Sequence, residues 1–202
     1  SPRAGPLLRQ SKLQPMTTAE LEVCEAAADL FLDTETRWSI PYIAFKARES
    51  QLPWNHIDAL FHQRLIPVLV ANLYDIAGEW AGFPSDWLAS ALESPPKKHR
   101  PIPEWLLSQW DCVNGFYELE ELPRHWPTFQ ALAHLFFEHQ WRLNSHLEHL
   151  VGLPWSAIDG LCQQVFRPRF EVLRLESDAK IQQFDANRSE ERRVGKECRS
   201  RW

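Results

Sequence analysis

The sequence predicts an all-α fold. Apolar residues recur at three- and four-residue spacing along most of the chain. Strand-like alternation is nearly absent. Many of the fifteen prolines fall where helices start or bend. A helix from Thr18 carries Leu21, Cys24, Ala28, Phe31 and Leu32 on one face, and Thr17 with Glu20 fits the S/T-x-x-E capping box before it. Ser39 is expected to cap the next helix, with Pro41 in its first turn. A third starts at Pro53, Pro67 kinks or restarts it, and the apolar run Leu65 to Leu73 is expected to be fully buried. Residues 77–84 read as a loop, because two glycines and a proline oppose a helix there. Ser85 or Asp86 opens a short helix to Leu92. Pro103 to Trp110 makes another, and Asn114-Gly115 is expected to turn the chain. Further helices are expected from Pro127, from Pro154 and from Pro168 towards Phe184.

Two blocks repeat. Leu52 to Pro67 and Leu153 to Pro168 align without a gap at a shift of 101, with eight of sixteen positions identical. The repeat predicts a body built from two duplicated helical half-units. The domain reading is residues 16–93 for the first half, a proline-rich linker at 94–103, and 104–187 for the second half. Asp58 and Asp159 are expected in first helical turns, where a carboxylate suits the helix dipole. Residues 1–15 read as a non-native or disordered arm, with Met16 as the expected natural start. Residues 188–202 resemble a translated short-read sequencing adapter, and are set aside from fold reasoning.

Setting both ends aside changes the charge. The full chain is −5, whereas residues 16–187 hold 13 Lys and Arg against 24 Asp and Glu, a net of −11. That balance argues against nucleic acid as a partner and towards a basic protein. No apolar run reaches the roughly 18 residues of a membrane span. Cys24, Cys112 and Cys162 are far apart and odd in number, as buried thiols of a reducing cytoplasm are. The exposed run Lys97-Lys98-His99-Arg100 reads as a solvated linker.

Chemistry-bearing residues are densest in two places. Asp33 and Glu35 close the segment Leu30-Phe-Leu-Asp-Thr-Glu35, and Glu79, Trp80 and Phe83 lie in the loop Ala77-Gly-Glu-Trp-Ala-Gly-Phe83. Acids beside aromatics suit a protein-binding patch. The second place is histidine-rich. His139, His146 and His149, with Glu138 or Glu148, offer the ligand types of a metal site at loose spacing. Leu30-Phe-Leu-Asp-Thr-Glu35, Pro67-Val-Leu-x-x-Asn72-Leu73 and Ala77-Gly-Glu-Trp-Ala-Gly-Phe83 together resemble a family of small bacterial proteins known only as a domain of unknown function. The resemblance covers about residues 20–90 and implies a shared fold but no activity. No phosphate-binding loop, dinucleotide fingerprint or nucleophile elbow occurs, and no cofactor is expected.

The expected function is a non-enzymatic, acidic protein-interaction module of the cytoplasm. Its concrete form is an immunity protein or antitoxin that blocks a basic toxin. Its partner surface is Asp33, Glu35, Glu79, Trp80 and Phe83. The alternatives are a metal-assisted hydrolase, using Glu79 with Asp33 or the group His139, His146 and His149, and a structural subunit with no small ligand.

Overall fold

The computed structural model describes residues 14–34, 36, 39–75, 78–79, 81–124, 126–127, 129–130, 154–161, 163–164, 167–168, 179–187 and 189–190. They are helical, with no strand among them. The order is α1 (Thr18–Ala28), a 3-10 turn (Asp29–Phe31), α2 (Ser39–Glu49) and α3 (Trp54–Leu60). A π segment (Phe61–Leu65), α4 (Ile66–Leu69) and a 3-10 turn (Val70–Tyr74) continue from α3. Then come α5 (Ser85–Glu93), α6 (Glu104–Tyr117), α7 (Glu121–Arg124) and α8 (Trp155–Leu161), and residues 179–187 are also helical.

Local sequence explains the start of α1. Thr17 Oγ1 accepts from the Glu20 amide at 3.2 Å, and the Thr17 amide donates to Glu20 Oε2 at 2.6 Å. Two otherwise orphan amides are thereby satisfied. Ser39 does not cap α2. It lies inside the helix, and its hydroxyl donates to Asp29 Oδ2 at 3.1 Å. A partly buried carboxylate nearby takes that donor in place of the local backbone.

Pro53 is the N-cap of α3, and its carbonyl accepts from His56 at 2.9 Å and Ile57 at 3.2 Å. Fourteen residues on, Pro67 has no amide to return to the Gln63 carbonyl. The helix widens just before it, and the Ile66 amide bonds back five residues to Phe61. Pro67 therefore bends a helix that continues rather than ending it. The second block starts alike. Pro154 accepts from Ala157 at 2.9 Å, α8 begins at Trp155, and residues 163–164 are again π-like. Neither Asp58 nor Asp159 lies in a first turn. The helices begin at the tryptophans, which places both aspartates one turn further along.

α6 corrects the expected turn at Asn114-Gly115. It runs unbroken through both residues to Tyr117. Glycine inside a helix costs about 1 kcal/mol. Burial of Trp105, Leu106, Trp110, Val113 and Phe116 along one face outweighs that cost.

α6 packs chiefly on α2, which in turn packs on α1. One core cluster joins α1 to α6, with Phe129 and partly buried Ala179 and Phe184 against it. Its centre is an aromatic stack. Phe61 and Trp110 lie 3.9 Å apart at 5°, Trp54 stacks on Trp110 at 5.1 Å, and Phe31 tilts against Phe61 at 5.7 Å. Arg64 is buried beside it. Its guanidinium donates to the Leu92 carbonyl in the last turn of α5 at 3.2 Å and to the Gln14 carbonyl at 2.8 Å. The negative end of a helix is a favourable place for that cation.

Candidate functional site

The 3-10 turn Asp29–Phe31 ends in extended backbone at Leu32 and delivers Asp33 to the surface side of the core. Forty-one residues after Phe31, the 3-10 turn Val70–Tyr74 presents Asn72 to the same place. Asn72 Nδ2 donates to the Phe31 carbonyl at 2.8 Å and to the Glu79 carbonyl at 3.0 Å. Its Oδ1 accepts from the Glu79 amide at 2.7 Å. The Asp33 amide donates to the Glu79 carbonyl at 2.9 Å. The three segments that carry the family resemblance thus meet on one side chain. Asn72 acts as a clasp between the Asp33 turn and the Glu79 loop.

Both glycines of that loop have reasons to be glycine. A Cβ on Gly78 would sit 2.8 Å from the Asn72 carbonyl oxygen and 3.2 Å from Asn72 Oδ1, so the clasp requires a bare backbone. Gly82 has φ +136°, where L side chains are strained. Between them Glu79 Oε1 accepts from the Ala81 amide at 2.9 Å, holding the loop's own turn.

The loop leads into α5. Phe83 stacks on Trp87 at 5.8 Å and 21°, one helical turn apart. Trp87 is 49% exposed, a large apolar side chain left open to solvent. Asp86 is exposed beside it, in the first turn of α5, where its charge suits the helix dipole. Pairing across a helix start fixes the angle at which the chain enters, but half the indole remains uncovered.

Of the expected partner surface, Asp33 and Glu79 are brought together through the backbone, with Phe83 four residues further on. Glu35 and Trp80 lie outside the described residues, as do His139, His146 and His149. Among the described residues no group of three His, Cys, Asp or Glu side chains is placed to hold a metal ion. No described helix is long and apolar enough to cross a membrane.

Sequence reasoning missed three residues here. Asn72 stood in a quoted motif without a role. Trp87 lies on a short helix whose local pattern does not mark it out. Lys180 is buried, its Nζ donating to the Thr34 carbonyl at 2.8 Å and to Thr36 Oγ1 at 3.1 Å. Alternation of a lone lysine within an amphipathic helix gives no sign of such burial.

Ionisable groups near the core are tuned by burial. The Asp29 carboxyl is raised by burial, with the Ser39 hydrogen bond opposing. Burial pushes the Cys24 thiol up to about 12, with Arg64 opposing. At neutral pH Cys24 is a packed thiol rather than a nucleophile.

A family model described as Domain of unknown function (DUF7079) matches residues 18–132, more than half of the chain, and the chain belongs to that family. The match reaches past the loop and α5 to take in α6 and α7. No curated protein and no solved structure matches the chain.

Proposed function

We propose that this member of the DUF7079 family is an acidic protein-interaction module that binds a basic protein, in the manner of an immunity protein or antitoxin. The observation that carries the reading is the half-exposed Trp87, stacked on Phe83 next to a loop that Asn72 holds in place. Such a pair offers rigid aromatic area at little entropic cost, as hot-spot residues do. Asp86 is exposed next to it in sequence, Glu79 is exposed in the loop that leads into α5, and Asp33 is partly exposed. Their charge attracts basic side chains and speeds encounter. An arginine or lysine of the partner would lie over the Trp87 face, where the ring quadrupole favours a cation. Glu35 and Trp80 belong to the proposed surface by sequence alone, as members of the same two segments.

The test is a titration against the products of the adjacent genes at low and moderate salt. Binding of a basic protein is expected, with Kd rising steeply with salt. An Asp33→Asn/Glu79→Gln double variant should weaken it at least tenfold. Equal affinity for the double variant, at every salt concentration, would remove the proposal.

A further inference from the structure

We infer that residues 179–187 are a strap across the back of the Asn72 clasp, with Lys180 as its positioning residue. The inference deepens the interaction reading, on which its link to partner binding rests. The strap lies beyond the family-matched residues 18–132, yet its polar contacts reach the Asp33 turn and the segment that carries Asn72, as well as α6. Lys180 Nζ donates to Thr34 and Thr36, immediately after Asp33. Asn187 Nδ2 donates to the Leu73 carbonyl at 3.2 Å, next to Asn72. Between them Gln183 Oε1 accepts from Trp105 Nε1 at 2.8 Å, tying the strap to α6.

The cation is well housed. Lys180 is 4% exposed, with its Nζ 5.1 Å from the Trp105 ring centroid and 5.8 Å from that of Phe184. Ring faces and oxygen acceptors replace the water it has lost. An ammonium buried this deeply needs acceptors at fixed places. The acceptors therefore constrain the Asp33 turn as much as the lysine itself. Ala179 and Phe184 pack on the core from the same helix, so the strap is anchored by apolar contact and directed by polar contact.

The consequence is local order. With Lys180 in place, the Asp33 amide stays bonded to the Glu79 carbonyl and the acidic edge is preformed for a partner. The Asp33 and Glu79 amides report this directly, because each donates within the clasp. The experiment is amide hydrogen exchange on the full chain and on Lys180→Met, which keeps the length and apolar stem while removing the charge. Exchange at Asp33 and Glu79 should quicken at least tenfold, while the slowest amides of α2 and α6 change by much less. A residue that merely added stability would quicken all of them by one factor. Thr36→Val, which removes one acceptor and leaves the lysine, should give a smaller change of the same pattern and covers the case in which Lys180→Met fails to fold. Unchanged exchange at Asp33 and Glu79 in the folded variants would overturn the inference, and so would uniform quickening. The variants are then titrated with the basic partner found for the wild type. Weaker binding supports the link to docking; unaltered binding overturns that link. If the wild type binds no basic partner, the interaction reading fails while the exchange data still decide the strap.

Discussion

Two aromatic groups in this molecule have opposite settings. In the first, Phe61, Trp110 and Phe31 are buried in contact, with Trp54 and Tyr117 closing the side. Its indole N–H is provided for: Trp110 Nε1 donates to Asp58 Oδ1 at 2.9 Å. In the second, Phe83 and Trp87 stack on each other at the surface and nothing covers the outer face of Trp87 among the described residues. Ten tryptophans in the composition do not distinguish the two roles. The buried group converts aromatic area into stability. In the second, Phe83 packs partly on the core while half of Trp87 stays open, the area assigned above to a proposed partner.

The comparison breaks most readily at Trp110. Trp110→Ala should cost about 3–5 kcal/mol in urea unfolding, since it empties the centre of the stack and removes the indole donor from Asp58, which keeps His62 at 3.5 Å. A cost below about 1 kcal/mol would place the stability elsewhere. Asn72→Ala comes next. It removes three hydrogen bonds, one to the partly buried Phe31 carbonyl and two to the exposed Glu79 backbone, at about 1–2 kcal/mol by the modest net worth of such bonds. Gly78→Ala should act in the same direction, because its Cβ meets the Asn72 carbonyl at 2.8 Å.

What was legible in the sequence follows the distance over which each contact acts. The Thr17–Glu20 box spans three residues and is read directly from residue types. Pro53-Trp54 and Pro154-Trp155 begin helices with the same carbonyl bond, as their shared sequence predicts. Packing is less local. Asp58 finds Trp110 across 52 residues, whereas Asp159 is exposed. Gly115 looked like a turn because its helix cost is intrinsic, while the burial that overrides it belongs to the whole α6 face. The acidic loop was visible as a dense segment, but its clasp was not. Asn72 reaches Phe31 over 41 residues, and Lys180 reaches Thr34 over 146. No local pattern specifies such partners.

Smaller effects sharpen the contrast. Thr17→Ala should cost about 1 kcal/mol through loss of the cap. Burial pushes the Glu20 carboxyl up, but the Thr17 backbone and side-chain bonds and His56 outweigh it and hold the carboxyl below its ordinary 4.5. A depressed carboxyl contributes stability above that ordinary value, and the contribution is lost as pH falls through the folded value. Unfolding scans below pH 4.5 should therefore show a shallower acid loss in Glu20→Gln than in the wild type.

The most direct test of the central claim is Trp87→Ala, measured for stability and for affinity together. The account predicts unfolding free energy within about 0.5 kcal/mol of the wild type, as for a surface substitution, and a Kd for the basic partner raised at least tenfold. A large loss of stability with unchanged affinity would contradict it, because Trp87 would then belong with Trp110 rather than with a partner.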